Sequence, residues 1–360
     1  MINLPTGQVL DLVVNSTFVV MGIISFLVVV LLSIKFFFHV WEIDKQKAQA
    51  WMKPRFELYL KGKKDQFPPE FIKLGFPSNK FLQYVIVHRS FGMQGPELER
   101  ISQAYDGLGF VDHDLKRLKS CFWWVRAEGA RCLGQMKTKR VKQFLLIALK
   151  DKVVEVKLIA AWALGRIGDA DAISSILEAL VGASRLAGMR LSSTVFELGE
   201  KAVLPLVGTL DHPDFAVRLL ALHLLAELKD PRAIPHIEKK TKSSEHREVR
   251  VAAYKALGTI GHVAALESLK EGLKDSMWEI RTQSARGLGL IGSPYAIRYL
   301  IRAMVDTKWW VRRNAGEALS KLGKKGEQAL MVVYKKSKYK PAKEMAAQWL
   351  DEIGIFSSVS

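Results

Sequence analysis

The chain has 360 residues, 49% hydrophobic and 25% charged, with a formal net charge of +18. That length holds one long repeat array or two ordinary domains, and the charge points to an acidic partner: anionic lipid headgroups, nucleic acid or an acidic protein face. The two cysteines, Cys121 and Cys132, exclude a disulfide framework and a Cys-ligated zinc site, and both read as small buried hydrophobes in a reducing compartment.

The first element is apolar. Leu12 to Ile34 carries no charged residue and is dominated by Val, Leu, Ile and Phe. As a helix it is about 34 Å long, enough for a hydrocarbon core of about 30 Å. Phe36, Phe37, Phe38 and Trp41 supply aromatic residues at one interface. A cleaved signal peptide needs basic residues before the run and small residues after it, and neither is present. Residues 12–38 are therefore read as a transmembrane helix and 1–11 as a short extracytoplasmic tail. The basic residues follow the span: Lys45, Lys47, Lys53, Arg55, Lys61, Lys63 and Lys64. The positive-inside rule then puts the rest of the chain in the cytoplasm. These cations either contact an anionic membrane surface or serve only as a topology signal.

Residues 39–95 read as a basic juxtamembrane connector. Trp41 to Leu60 continues as a helix bent at Pro54, Phe67-Pro68-Pro69 and Phe76-Pro77 interrupt it, and Asn79 to Ser90 forms another short helix.

From residue 96 to 356 a period dominates. Arg126, Lys157, Arg218, Arg250, Arg281, Arg312 and Lys343 serve as anchors spaced by 31 or 32 residues, except for one interval of 61. Seven residues after every anchor stands Leu133, Leu164, Leu225, Leu257, Leu288, Leu319 or Leu350. Three after it the residue is small (Gly129, Ala160, Ala221, Ala253, Ser284, Ala315, Ala346), and one before it is apolar. Ten after it the residue is apolar again, from Met136 to Ile353. Those offsets lie on one helical face, with the leucine and the residue three later expected to fill the core between repeats. Six before most anchors stands a helix-capping type: Ser120, Asp151, Ser244, Asp275, Asp306 or Ser337. Second helices lie between, such as Ala233 to Lys242 and Pro294 to Val305. A single helix pair cannot bury its apolar face alone, so pairs stack. Residues 184–199 keep Leu198-Gly199 but put Leu191 where an anchor is expected, which reads as a bend in the array, with a specialised contact point as the alternative.

The strings DSMWEIRTQSARGLGLIG (275–292), DTKWWVRRNAGEALSKLG (306–323) and EVKLIAAWALGRIGDADAI (155–173) resemble HEAT repeats, of the short type also found in phycobilin lyases. The resemblance covers roughly residues 97–355. It implies an all-α, right-handed α-solenoid of HEAT-like helix pairs. It also implies that Asp151, Asp275 and Asp306 form a structural ladder with the anchor cations. Similar solenoids offer long surfaces to protein partners, and some bacterial membrane members resemble supports for polysaccharide-synthesising glycosyltransferases.

Catalytic motifs find no footing. Gly287-Leu288-Gly289-Leu290-Ile291-Gly292 matches GxGxxG, but a dinucleotide site needs a preceding strand and a later acidic residue on another strand. The parallel strings ALGRIG and ALGTIG show that it is a helix end. HEAT-like proteins include a di-iron hydroxylase with His-Glu ligand pairs, and no His-Glu dipeptide occurs here. Asp112-His113-Asp114 lacks a second ligand cluster and reads as a solvated helix face rather than a metal site. No metal, no cofactor and no enzymatic activity are expected.

Trp123, Trp124, Trp278, Trp309 and Trp310 fall two or three residues before an anchor, with Phe215 equivalent. They are expected at the start of the anchor-bearing helices along one edge, beside Arg313. The rings either cover repeat junctions or form a partner-binding ridge of Trp and Arg. The basic run Lys335, Lys336, Lys338, Lys340 and Lys343 reads as a solvated face that also suits a membrane or an acidic partner. The reading is a membrane-anchored cytoplasmic scaffold with membrane-associated protein partners and anionic lipid contacts. A lyase or transferase subunit acting on a concave face is one alternative. Nucleic-acid binding is the other, and the anchor argues against it.

Overall fold

A computed structural model describes residues 6–60, 78–182, 185–243 and 246–355. The chain divides into two compact units, Met1–Val111 and Asp112–Ser360.

The first unit begins with α1 (Thr6–Leu60), one continuous helix that keeps Pro54 inside it. Fifty-five residues rising about 1.5 Å each give about 83 Å, far longer than a bilayer core of about 30 Å. Asn15–Val40 is long and apolar enough to cross a membrane, and its side chains are not buried in the protein. Ser33 turns its hydroxyl back onto the Val29 carbonyl at 2.8 Å, so this polar group is satisfied within the helix. The far end of α1 packs on α2 (Ser78–Arg89) and α3 (Pro96–Gly107). There the Tyr59 hydroxyl donates to the Arg100 carbonyl at 3.2 Å, and Gln83 Nε2 donates to the Tyr105 hydroxyl at 2.6 Å. Leu82, Ile86, Ile101 and Tyr105 are fully buried.

The second unit is a stack of helix pairs. After α4 (Phe110–Arg117) come α5 (Trp123–Gln135) and α6 (Lys142–Ala148), then α7 (Val154–Ile167) and α8 (Ile173–Leu180). Next are α9 (Arg185–Leu198) and α10 (Val203–Gly208), then α11 (Phe215–Leu228) and α12 (Ile234–Ser243). The array continues with α13 (Arg247–Ile260) and α14 (Leu266–Gly272), then α15 (Trp278–Ile291) and α16 (Ile297–Ala303). It ends with α17 (Trp309–Ser320), α18 (Gly323–Lys336) and α19 (Lys340–Glu352). The anchors lie on α5, α7, α11, α13, α15, α17 and α19, and each of these helices packs on the next anchor-bearing helix in the row; between α7 and α11 the row passes through α9. Contact is thinnest between α9 and α11, beside the irregular repeat. The fold is an all-α solenoid with no strand among the described residues.

All seven repeat leucines, Leu133 to Leu350, are fully buried. The residue ten after the anchor behaves differently from expectation. Met136 and Ile260 are buried, whereas Ile167, Leu228, Ile291, Leu322 and Ile353 are only half-buried. At that offset the helix has reached its C-terminus and is leaving the stack.

Close approach between consecutive anchor helices is set by a different pair of positions. A Cβ on Gly134 would stand 2.5 Å from the Cα of Ala163, one on Gly258 2.6 Å from the Cα of Gly287, and one on Gly289 2.7 Å from the Cβ of Ala318. These glycines lie eight after one anchor, against a small residue six after the next. The small residue three after the anchor faces the preceding short helix instead: a Cβ on Gly272 would collide with Ser284 Oγ. The GxGxxG string is thereby accounted for. Gly287 and Gly289 are helix contacts, and Gly292 ends α15 in the left-handed region at φ 69°.

Candidate protein-interaction surface

On an anchor helix the buried positions are one before, three after and seven after the anchor. At about 100° per residue, the positions three and two before the anchor point about 120° and 140° away from the centre of that face. Large rings placed there are left in solvent. Trp123, Trp278, Trp309 and Phe215 are the first residues of α5, α15, α17 and α11. Trp309 is 45% exposed and Trp310 50%, Trp123 42% and Trp124 55%, while Trp278 is half-buried.

Two aromatic clusters result. Trp309 and Trp310 meet edge to face with centroids 4.7 Å apart, and the Arg313 guanidinium lies 5.5 Å from one ring and 6.0 Å from the other. Near the other end of the array, Trp123 and Trp124 meet at 6.1 Å, and Phe122 stacks on Trp124 at 4.8 Å. The anchor offsets pass over Phe122, although the run Phe122-Trp123-Trp124 marks it. Trp278 stands apart from both clusters. Beside it, Glu279 pairs with Arg247 of the preceding repeat. That pair shows that the first turns of successive anchor helices adjoin, so these positions run as a row along the stack.

A ladder of guanidinium–carboxylate pairs fixes the loops beneath this row. Arg126 grips Asp151 of the next repeat through Nε at 2.6 Å and Nη2 at 2.8 Å. Arg281 grips Asp306 at 2.6 and 3.0 Å, and Arg250 pairs with Asp275. Nη1 binds backward, to the Ser120 and Cys121 carbonyls from Arg126 and to the Asp275 and Ser276 carbonyls from Arg281. Each arginine thus ties its own loop to the next. The hydrogen bond from Arg126 holds the Asp151 carboxyl below its ordinary pKa. At Asp306 burial opposes ionisation, but hydrogen bonds from Arg281 and the Lys308 N–H outweigh it and the pKa is again lowered. Asp151, Asp275 and Asp306 are not the N-caps they resemble. They lie two residues earlier and accept the N–H of Val153, Met277 and Lys308 at 2.9, 2.9 and 2.8 Å. Ser244 lies outside the described residues.

Other expectations meet mixed outcomes. Asp112-His113-Asp114 is not a uniformly solvated face: Asp114 is fully buried and bonded to Arg117 at 3.1 Å, while Asp112 is exposed and paired with Arg140 at 3.2 Å. Cys132 is buried but Cys121 is exposed, because it sits in the loop before α5. Burial pushes the Cys132 thiol up to about 12. The side chains of Lys45, Lys47, Lys53 and Arg55, and Lys61, Lys63 and Lys64 entirely, lie outside the described residues. Lys335, Lys336, Lys338 and Lys340 are exposed.

The family model for HEAT repeats matches residues 111–187, 203–285 and 270–351. No curated protein matches the chain. Among solved structures, human deoxyhypusine hydroxylase is 21% identical, with a TM-score of 0.30 over 78% of this chain and 92% of its own. The karyopherin Kap121p bound to the SUMO protease Ulp1p is 13% identical, with a TM-score of 0.47 over 78% of this chain and 38% of its own. The complex of CpcE and CpcF of phycocyanin lyase from Nostoc is 22% identical, with a TM-score of 0.29 over 50% of this chain and 99% of its own.

Proposed function

The chain belongs to the HEAT-repeat family, and from that premise we propose that it is a scaffold held at a membrane by α1, capturing protein partners on the aromatic edge of its repeat stack. The observation that carries this reading is the exposed pair Trp309–Trp310 with Arg313 against both rings. Tryptophan and arginine dominate the energetics of protein interfaces, and large rings left half in water gain most from being covered. The apolar, uncovered stretch Asn15–Val40 supports insertion in a bilayer, and the lysines that follow it favour a cytoplasmic array. Anchoring would confine the search for partners to two dimensions and raise their effective concentration. Support of a membrane glycosyltransferase complex is a finer form of this reading and rests on family resemblance alone.

The test is crosslinking in native membranes, followed by affinity capture of the full-length protein and mass spectrometry. A stoichiometric membrane protein supports the scaffold. A co-purifying small molecule or nucleic acid, with no enriched protein, overturns it.

A further inference from the structure

Every ladder arginine that finds an acid finds it 25 residues on: Arg126 takes Asp151, Arg250 takes Asp275 and Arg281 takes Asp306. Arg312 is built the same way up to its last bond. Its Nη1 donates to the Asp306 and Thr307 carbonyls at 2.8 and 3.0 Å, repeating the backward grip of Arg126 and Arg281. The turn it faces is also kept, because the Tyr339 N–H donates to Ser337 Oγ at 3.2 Å, as the Val153 N–H does to Asp151. Only the carboxylate is missing, since residue 337 is serine.

Arg312 is 8% exposed, and its Nε is buried without a hydrogen-bond partner among the described residues. A buried guanidinium N–H with no acceptor is a costly arrangement. Arg218 also meets a serine 25 residues on, but it is only half-buried and has no side-chain nitrogen that is both buried and without a partner among the described residues. Around Ser337 stand the exposed Lys335, Lys336, Lys338 and Lys340, and the Tyr339 ring lies 5.7 Å from the Arg312 guanidinium. Trp309 and Trp310 lie three and two residues before Arg312 on the same helix.

We propose that Arg312 is an open ladder rung that binds an Asp or Glu side chain of a protein partner, with the surrounding lysines drawing in the acidic segment. The planar Nε–Nη2 edge is the one that takes a carboxylate bidentately at Arg126 and Arg281, and that precedent within the ladder points to a carboxylate at Arg312. The inference rests on the protein-binding reading above and assigns the chemistry of the partner.

The test uses the full-length protein in detergent and a fluorescent hexaglutamate peptide, with binding read by anisotropy. Ser337→Asp supplies the internal carboxylate and closes the rung. Lys336→Gln makes the same change in net charge and leaves it open. The expected result is peptide binding that weakens about tenfold or more in Ser337→Asp, with a raised melting temperature, and changes far less in Lys336→Gln. Equal losses in both variants would assign the binding to the lysine surface and overturn the proposal. So would no binding by the parent protein, a lowered melting temperature in Ser337→Asp, or displacement of the peptide by equimolar inorganic phosphate. Partner capture from membranes alongside any of these outcomes leaves the scaffold reading intact and removes only the rung.

Discussion

Gly258 and Gly287 stand back to back across α13 and α15, so close that a Cβ on Gly258 would lie 2.6 Å from the Cα of Gly287. Neither neighbour can yield, because both are backbone. Gly258→Ala should therefore destabilise the array by about 1–3 kcal/mol, as overpacking does. Gly208 has helical backbone, and a Cβ there would meet nothing within 4 Å, so Gly208→Ala should stabilise by about 0.4–1 kcal/mol. Thermal melts of the two variants should move in opposite directions.

Leu257 and Leu288 are fully buried at equivalent repeat positions. Truncating either to Ala should cost about 2–5 kcal/mol. Chemical denaturation measures it, and a loss under about 0.5 kcal/mol would be far below that range and would place the repeat register wrongly.

The ladder carboxylates make the array sensitive to acid. Asp151 and Asp306 have folded-state pKa values below the ordinary aspartate value, which is about 3.9. A lowered pKa contributes stability that is fully present above the unfolded value and is lost as pH falls through the folded one. The melting temperature should hold steady near pH 6 and fall below about pH 4. An Asp151→Asn, Asp306→Asn variant should melt lower near neutrality and show a shallower acid dependence. Parallel curves for the two proteins would deny the ladder this role.

The two thiols should separate chemically. Cys121 is exposed, whereas Cys132 is buried with its pKa pushed up to about 12. Iodoacetamide at about pH 8, near the ordinary thiol pKa, should label Cys121 in the native protein and both residues after denaturation. Mass spectrometry reads the difference, and native labelling at Cys132 would show that α5 opens.

Most of the array is legible in the sequence because period and burial coincide. A leucine seven residues after each anchor can only face the core, and all seven do. The packing contacts of Gly134, Gly258 and Gly289 are not legible, because their small neighbours lie on another helix and residue size alone does not say which helix approaches. Asp151 and Asp306 are recognisable as ladder members, but their position two residues before the N-cap depends on turn geometry. Cys121 looks buried by residue type, whereas its loop puts it in solvent. The tryptophans are legible as an edge because their offsets avoid those of the core. The gap between Trp123 and Trp278 follows from what stands at the same offset in the intervening repeats, Val154, Phe215 and Arg247, and Trp278 is single because Glu279 stands where Trp124 and Trp310 stand in their repeats.

The most direct measurement compares the parent protein with a Trp123→Ala, Trp309→Ala, Trp310→Ala variant, recording helicity, melting temperature and the amount of crosslinked membrane partner recovered. A partner-binding edge leaves helicity and melting close to the parent and lowers recovery severalfold. Collapse of helicity and melting, or full recovery of the partner with the fold intact, would contradict it.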